Sequence, residues 1–323
     1  MCTAISFLTK DHYFGRNLDL DYSYCEAVTI SPRSYSFIFR DTSVMKSHYA
    51  MIGMATVVEN YPLYYDATNE YGLSMAGLNF PGNAVYLPVK EGCNNVAPFE
   101  FIPWILGQCK NVAEARVKLS HINLTNISFS KKLPLTPLHW IISDKSESIV
   151  VEPGDSGIRI FDNPVGVLTN NPPFDFHMHN LANYLNLTRN EPKNRFAEHI
   201  QLTPYSRGMG AIGLPGDLSS ASRFIKATFT KCNSVCEETE TASVSQFFHI
   251  LQSVAQQKGC VKIKDSYEKT VYSGCCNTDQ GIYYYTTYEN NQITAVRMFH
   301  ENLDSDKLLC FPLITKQQIH FEN

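Results

Sequence analysis

The first residues of the chain offer the most specific chemistry in the sequence. It begins Met1-Cys2-Thr3, so removal of the initiator methionine would leave Cys2 as the amino-terminal residue. One residue would then carry both a thiol nucleophile and an α-amine, whose pKa of about 8 lets it accept the thiol proton near neutral pH. A cysteine at position 2 does not by itself indicate this chemistry, so other residues must be found that would hold it.

The histidines do not supply a recognisable alternative base. The chain has ten of them and no HExxH sequence, and His177 and His179 would share a face only on a strand. We interpret each histidine as a surface residue or a hydrogen-bonded core residue. Sequence alone leaves a catalytic Cys-His pair open, but a nucleophile that supplies its own base needs none.

A glycine-rich stretch between Gly208 and Gly213 matches the letters of the dinucleotide fingerprint GxGxxG. The context differs, because the fingerprint follows a strand, opens a helix and is followed about 20 residues later by an acidic residue. Here Leu214-Pro215-Gly216 interrupts the approach to the next helix, and Cys232-Asn233-Ser234 lies where the acid is expected. We therefore predict a loop of special backbone conformation, and a dinucleotide-dependent oxidoreductase remains only an alternative.

Composition excludes several classes of function. The formal net charge is -4, so the chain lacks the basic field that nucleic acids or anionic membrane surfaces require, and we expect neither partner. No apolar run approaches the roughly 18 residues of a membrane span, which predicts a cytoplasmic protein. The ten cysteines are irregularly spaced and are interpreted as mostly reduced, and no zinc-site spacing is present. Neither a metal nor a cofactor is expected.

The elements that must position Cys2 can be read from apolar spacing. Residues 2–8 alternate as a strand with one face on a core, and residues 13–19 form the returning arm of a hairpin that brings Arg16 and Asp19 back beside Cys2. Further strands also come in hairpins, as in 61–79, which indicates antiparallel sheets. Helical spacing is found at 98–109, 112–119, 176–185 and 243–257, and in a helix through Arg223 that is capped by Asp217 or Ser219. The simplest organisation is one α+β domain.

Five short motifs combine cysteine, arginine, asparagine and glycine at wide separations. They are Met1-Cys2-Thr3, Phe14-Gly15-Arg16-Asn17-Leu18-Asp19, Gly77-Leu78-Asn79, Thr169-Asn170-Asn171-Pro172 and Ser222-Arg223-Phe224. Their order and spacing resemble the choloylglycine hydrolase family of N-terminal nucleophile hydrolases. The resemblance covers essentially the whole chain and is nearest to the conjugated bile salt hydrolases of gut lactobacilli and enterococci. It implies a single domain over residues 1–323 with Met1 removed, folded as a four-layer αββα sandwich of two antiparallel sheets between helical layers, and a homotetramer.

The same resemblance implies a role for each matching residue. Cys2 would attack the amide that links a steroid acid to glycine or taurine, with its own amine as general base and then general acid. Asp19 would orient that amine, and Arg16 would lie near the thiol, where a cation favours the thiolate. Asn79 and Asn170 would form the oxyanion hole, with Asn170 chosen over its neighbour because the motif reads Thr-Asn-x-Pro. Arg223 would be the remaining active-site arginine.

Substrate choice rests on fewer residues. Bile salt hydrolases resemble this chain in having asparagine at the position of Asn79, whereas penicillin V acylases tend to have tyrosine, so conjugated bile acids are the predicted substrates. The predicted wall of the steroid site consists of Leu20, Tyr24, Tyr65, Leu133 and Leu135. Penicillin V or an N-acyl homoserine lactone, cleaved by the same chemistry, is the nearest alternative. A non-catalytic binder of bile acids or other acyl compounds is an alternative from another class.

Overall fold

The computed structural model describes residues 1–41 and 43–323. Its strands are β1 (Cys2–Leu8), β2 (His12–Leu20), β3 (Ala27–Ser31), β4 (Phe37–Ile38), β5 (Val44–Met45), β6 (Met51–Val58), β7 (Tyr61–Asn69), β8 (Ser74–Asn79), β9 (Asn94–Val96), β10 (Ile122–Leu124), β11 (Leu138–Ser143), β12 (Ser148–Gly154), β13 (Gly157–Asp162), β14 (Val167–Leu168), β15 (Val261–Ile263), β16 (Ser266–Asn277), β17 (Ile282–Thr287), β18 (Asn290–Arg297) and β19 (Leu309–Pro312). Its α-helices are α1 (Phe101–Leu106), α2 (Val112–Leu119), α3 (Phe174–Asn180), α4 (Ser220–Asn233) and α5 (Glu240–Gln252). Short 3-10 helices cover Pro98–Glu100, Leu181–Tyr184, Met209–Ala211 and Met298–His300.

Two large antiparallel sheets dominate the fold. The first has the strand order β14-β1-β2-β16-β17-β18, with β15 paired to β16, so the amino-terminal strand lies inside the sheet and not at its edge. The second has the order β13-β12-β11-β8-β7-β6-β3-β19. Two small pairs, β4 with β5 and β9 with β10, lie outside these sheets. The predicted pairing of neighbouring strands into hairpins is confirmed, because β1-β2, β6-β7-β8, β11-β12-β13 and β16-β17-β18 are all sequential neighbours.

The side chains divide into two apolar clusters that define the layers. Along β11, Ile141 belongs to a cluster shared with the first sheet and with helices α4 and α5, while Trp140 and Ile142 belong to a cluster shared with α1 and α2. This alternation is the period of two that a strand imposes. The second sheet therefore packs on the first by one face and on α1 and α2 by the other, and α4 and α5 cover the remaining face of the first sheet. The predicted αββα sandwich is confirmed.

The prediction that only one face of β1 is buried is wrong. The strand was expected to bury one face, but residues 2–7 are all buried, because the second sheet covers one face and helices α4 and α5 cover the other. Alternation in the sequence marks a half-exposed strand only when one side meets water. Thr3 and Ser6 are polar and nevertheless enclosed, and Ser6 is held by a hydrogen bond to the ring of His12.

The helices follow the predicted order with shorter bounds. The 98–109 segment is a 3-10 turn followed by α1, and the 176–185 segment is α3, which already begins at Phe174, continued by a 3-10 turn. Ser219, and not Asp217, accepts the capping bond at the start of α4, from the backbone N–H of Ser222. Among the described residues, no helix combines the length and apolar character that a membrane crossing requires.

Candidate active site

Cys2 lies at the start of β1, where groups from both faces of the first sheet converge. It pairs with Leu18 of β2 and is almost fully buried. Residues opposite each other on neighbouring strands share a face, so Arg16, two residues before Leu18, lies on the side of Cys2 that faces the second sheet. Asp19 has the opposite parity and lies toward helix α4. The hairpin thus brings Arg16 and Asp19 close to the start of β1, as the sequence predicted.

Arg16 crosses from the first sheet to the second. Its guanidinium is fully buried, and Nη1 donates to the backbone oxygen of Tyr65 on β7 at 3.0 Å and to that of Gly77 on β8. Nη2 has no hydrogen-bond partner among the described residues. Burial opposes the cation, but nearby Cys2, Tyr272, Asp66 and Asp19 outweigh it and raise the pKa of Arg16. The buried positive charge of Arg16 therefore lies beside the Cys2 thiol, and the N–H groups of its Nη2 remain available to hydrogen-bond.

Asp19 is held by one carboxylate oxygen and leaves the other open. Oδ1 accepts a hydrogen bond from Thr270 Oγ1 at 2.7 Å, while Oδ2 has no hydrogen-bond partner in the described part of the chain. The nearest cation to Oδ2 is Nη1 of Arg223, at 4.0 Å. Complete burial raises the pKa of Asp19, against the lowering effect of Arg223. An unsatisfied buried oxygen of this kind is costly unless a donor reaches it.

Asn170 follows the short strand β14 and contacts Cys2 directly. Its Oδ1 accepts from the backbone nitrogen of Cys2 at 2.8 Å and from Nη2 of Arg223 at 2.8 Å. These two donors identify Oδ1 as the amide oxygen, so Nδ2 is the donor side, and it reaches the backbone oxygen of Asn79 at 2.7 Å. One N–H of Nδ2 remains after that bond. It can donate to a developing oxyanion.

Arg223 comes from the first turn of α4 and closes the site from the helical side. Nη1 donates to the carbonyl of Cys2 and to Thr3 Oγ1, the latter at 2.7 Å, and Nε donates to the Leu218 carbonyl at 3.1 Å. Burial lowers the pKa of Arg223, against the effect of Asp19. Although it lies on a helix, Arg223 is only 1% exposed and is therefore not a solvated surface arginine.

Asn79 is placed differently from the other predicted residues. It is the last residue of β8, and its side chain is exposed while its backbone oxygen accepts from Asn170. The structure therefore brings Asn79 to the site through its main chain, with the amide free at the surface.

Sequence reasoning missed two residues that lie at this centre. Thr270 reaches Asp19 because the two residues are opposite each other on β16 and β2, next to a register shift between Thr270 and Tyr272 that no sequence pattern indicates. Glu268, two residues earlier, is buried and accepts a hydrogen bond from the ammonium group of Met1, which also donates to the Asp19 backbone oxygen at 2.7 Å. Burial raises the pKa of Glu268. Both residues lie on a strand in which polar and apolar residues alternate, and nothing in that pattern distinguishes them. Only the fold therefore identifies them.

The predicted wall residues separate into two groups. Leu20 and Tyr65 pack against the apolar cluster that contains Cys2, and the Tyr65 backbone also holds Arg16. Tyr24 is exposed, and its ring is tilted by 53° to that of Tyr22, with ring centroids 4.6 Å apart. Leu133 and Leu135 are half-buried in the segment that enters β11, whose first residue pairs with Asn79. That pairing connects the segment to the edge of the site.

Two cavities lie apart from Cys2. One of about 350 Å³ is lined by Ser6, His12 and Lys231 near the far end of β1, and one of about 590 Å³ is lined by Arg33 and Lys118. Within residues 1–41 and 43–323, no group of three His, Cys, Asp or Glu side chains is placed to hold a metal ion. All ten cysteines carry free thiols.

Comparison with known proteins places this geometry in context. The family described as linear amide C-N hydrolases, choloylglycine hydrolase family, matches residues 2–311. The chain is 53% identical over its whole length to all of the bile salt hydrolase/transferase of Lactiplantibacillus plantarum. It is 38% identical to the conjugated bile acid hydrolase of Lactobacillus gasseri, over 96% of this chain and 100% of the relative.

Solved structures agree with the sequence matches. The crystal structure of the C2A mutant of conjugated bile acid hydrolase from Clostridium perfringens superposes with a TM-score of 0.92 at 36% identity, covering 100% of both chains. Penicillin V acylase from Agrobacterium tumefaciens matches with a TM-score of 0.73 at 17% identity, over 95% of this chain and 90% of that one, which shows a shared fold.

Proposed function

This chain belongs to the choloylglycine hydrolase family of linear amide C–N hydrolases, and we propose that it cleaves the amide bond of glycine- and taurine-conjugated bile acids. Relatives matching nearly the whole chain at 37–53% identity are named bile salt or conjugated bile acid hydrolases. Amide hydrolysis belongs to the family as a whole, so the bile acid is the part of this proposal that needs testing.

The contact that carries the proposed mechanism is the bond from the Cys2 nitrogen to Asn170 Oδ1 at 2.8 Å. The second oxygen proposed to hold the amine is Asp19 Oδ2, which has no hydrogen-bond partner among the described residues. With Met1 removed, the Cys2 nitrogen becomes an amine with hydrogens to donate to both oxygens. Arg16 would hold the thiolate by its unused Nη2. The amine, fixed between Asn170 and Asp19, would take the thiol proton.

Acylation and deacylation then use the same groups. The thiolate sulfur bonds to the amide carbon, the remaining Nδ2 hydrogen of Asn170 stabilises the oxyanion, and the C–N bond breaks as the Cys2 ammonium gives its proton to the departing nitrogen. Water next attacks the thioester carbon, its proton passes to the Cys2 amine, and the C–S bond breaks to release the bile acid. Asn79 would support the hole through the carbonyl that orients Asn170.

Turnover of taurocholate and glycocholate, measured against penicillin V and an N-acyl homoserine lactone, tests the substrate. Release of taurine or glycine with a higher kcat/KM than penicillin cleavage is expected, and fast penicillin cleavage with negligible amine release would overturn the bile acid assignment. Cys2→Ala should abolish turnover. Binding of bile acids without turnover by the unmodified protein would instead favour a non-catalytic binder.

A second activity is favoured by the names of the relatives. The proteins of L. plantarum and C. perfringens are both named hydrolase/transferase. A thioester on Cys2 could pass its acyl group to the amine of an amino acid in place of water. Formation of a new bile acid amide, detected by mass spectrometry with excess amino acid present, would establish it.

The state of the mature protein completes the proposal. We propose that Met1 is removed, that residues 1–323 fold as one domain, and that the chain assembles as a cytoplasmic homotetramer. Leu185, Phe196 and Tyr205 are each more than 80% exposed in the segment before α4, which supports burial against another copy. Intact mass reports Met1 removal, a single calorimetric transition reports one domain, and light scattering reports the tetramer.

A further inference from the structure

Two buried histidines hold the backbone carbonyl groups of Thr169 and Asn170. Thr169 and Asn170 lie between β14 and α3, where no sheet ladder fixes their carbonyl groups. Asn170 is already engaged at four points: its N–H bonds to Ser220 Oγ at 2.8 Å, Oδ1 meets Cys2 and Arg223, and Nδ2 meets Asn79. Its carbonyl oxygen is therefore the last group that determines how the residue is rotated.

His177 holds that carbonyl. The residue lies on α3, is fully buried, and places Nε2 at 2.9 Å from the Asn170 oxygen. A carbonyl only accepts, so Nε2 carries the proton and donates. Nδ1 is then an acceptor, and it has no donor among the described residues. Burial lowers the pKa of His177, against the raising effect of the Asn170 carbonyl. The lowered pKa favours the neutral ring, and the hydrogen bond to Asn170 selects the tautomer with the proton on Nε2.

His139 performs the same function one residue earlier. It lies on β11, is fully buried, and donates from Nε2 to the Thr169 oxygen at 3.0 Å. Glu152, on the neighbouring strand β12, lies 3.5 Å from the other ring nitrogen and also accepts from the Phe174 N–H at the start of α3, at 2.8 Å. One carboxylate therefore ties the helix that carries His177 to the strand that carries His139.

Each histidine also stacks on an aromatic ring that directly follows a predicted site residue. His139 lies parallel to Phe80, which follows Asn79, with centroids 4.2 Å apart and 6° between the planes. His177 stacks on Phe224, which follows Arg223, with centroids 4.7 Å apart and an angle of 21°. The two histidine rings thus link the carbonyl groups of Thr169 and Asn170 to the chain segments that carry Asn79 and Arg223.

We propose that His177, supported by His139 and Glu152, is a positioning residue that fixes Asn170 in the orientation required for its Nδ2 hydrogen to meet the oxyanion. This inference rests on the proposed amide hydrolysis at Cys2, and it assigns a role to histidines that touch neither substrate nor thiol. A rotation of Asn170 by loss of the carbonyl bond would move Nδ2 away from the reacting carbon. It would leave the thiol itself intact.

Substitution of His177 by glutamine, asparagine and leucine separates positioning from packing. Glutamine can place an amide N–H close to the position of Nε2, asparagine is one methylene shorter, and leucine has no donor. We expect His177→Asn and His177→Leu to lower kcat by about 10- to 100-fold with KM changed less than about threefold, and His177→Gln to retain most of kcat. Alkylation of Cys2 by iodoacetamide uses the amine that Asn170 Oδ1 holds but forms no oxyanion, so its rate should fall much less than kcat does in the asparagine and leucine variants.

The outcomes divide clearly. If glutamine lowers kcat as much as asparagine does, or if Cys2 alkylation slows in parallel with kcat, His177 serves general packing and the proposal is refuted. Should leucine prevent folding, the glutamine and asparagine pair still decides, with circular dichroism as the check on each. If the unmodified protein does not cleave bile acid conjugates, the same comparison on any amide it cleaves tests the histidines separately from the substrate.

Discussion

Thr270 determines which oxygen of Asp19 is left without a hydrogen bond among the described residues. Its hydroxyl occupies Oδ1 at 2.7 Å and itself accepts from the Gln256 N–H at 2.7 Å, so the hydroxyl cannot turn away without losing a second bond. Oδ2 has no hydrogen-bond partner among the described residues and lies 4.0 Å from Nη1 of Arg223. Thr270 takes no part in the proposed reaction, but it orients the carboxylate of Asp19.

Thr270→Val removes this hydroxyl while keeping the shape of the side chain. We expect kcat to fall about tenfold or more and the free energy of unfolding to fall by about 1–3 kcal/mol, because a buried carboxylate oxygen loses its donor. Thr270→Ser is the matched control and should keep most of both. Steady-state kinetics and urea unfolding measure the two effects, and full kcat in the valine variant would remove Thr270 from the site.

His12 gives stability a pH dependence that is independent of catalysis. The ring is buried between Ser6 Oγ at 2.8 Å and Thr278 Oγ1 at 3.0 Å, and burial lowers its pKa from 6.5 to about 4, against the raising effect of Asp279. Between these two pKa values the unfolded chain binds more protons than the folded chain. The free energy of unfolding therefore decreases as pH falls from 6.5 toward 4.

His12→Asn removes that titration. Between pH 7 and pH 5 the unmodified protein should lose about 2 kcal/mol more unfolding free energy than the variant does. Denaturant unfolding at the two pH values measures the difference. Equal losses in both proteins would show that His12 is not the group responsible.

At the scale of elements, helix α4 delivers Arg223 to Cys2 across more than 200 residues of sequence. Its start is fixed by Ser219, whose Oγ accepts from the Ser222 N–H and whose carbonyl accepts from the Arg223 N–H at 2.9 Å. Ser220, the first helical residue, accepts from the Asn170 N–H. The first turn of α4 is therefore part of the site as well as a helix end.

Ser219→Ala should lower the free energy of unfolding by about 1 kcal/mol through loss of the cap, and it should also lower kcat because the first turn carries Arg223. Thr239→Ala removes the corresponding cap of α5, which accepts from the Ala242 N–H, and is expected to cost similar stability with kcat unchanged. Thermal melts and kinetics on the two variants distinguish these expectations. Equal kcat in both would confine Ser219 to helix stability.

Sequence reasoning predicted the contacts that local strand geometry determines, and it missed the contacts that depend on how distant elements pack together. The hairpin of β1 and β2 put Arg16 and Asp19 beside Cys2, because alternation and a short turn fix the register. The glycine stretch was predicted to have a special backbone conformation, and Gly208 and Gly213 do adopt positive φ values of 79° and 98°, on either side of a 3-10 turn that precedes α4. The position of Thr270 depends on the pairing of β16 with β2, and that of His177 depends on the packing of α3 against Asn170. No spacing in the sequence encodes either.

At the scale of the whole molecule, a buried polar centre joins the two sheets. Asp66 on β7 accepts from Tyr272 on β16 at 2.6 Å and from Tyr283 on β17 at 2.7 Å. Burial raises the pKa of Asp66, against the effect of Arg16. Two apolar faces alone leave the relative position of the sheets weakly specified, and a buried carboxylate with two donors fixes it.

Tyr272→Phe tests this contact between the sheets. The free energy of unfolding should fall by about 1–3 kcal/mol, because one oxygen of Asp66 loses its donor in a dry environment. Combining it with Asp66→Asn should cost less than the sum of the two single changes, since both act on one bond. Additive losses in denaturant unfolding would indicate that Tyr272 acts through packing alone.

Arg16 has a consequence for how the protein is made. Because its guanidinium leaves the first sheet and is satisfied by carbonyls of the second, the cationic surroundings of Cys2 exist only after the sheets have docked. A nascent or partly assembled chain carries Cys2 in water, without the buried positive charge of Arg16 beside it. Under the proposed mechanism, the thiol therefore becomes a strong nucleophile only once the two sheets have packed together.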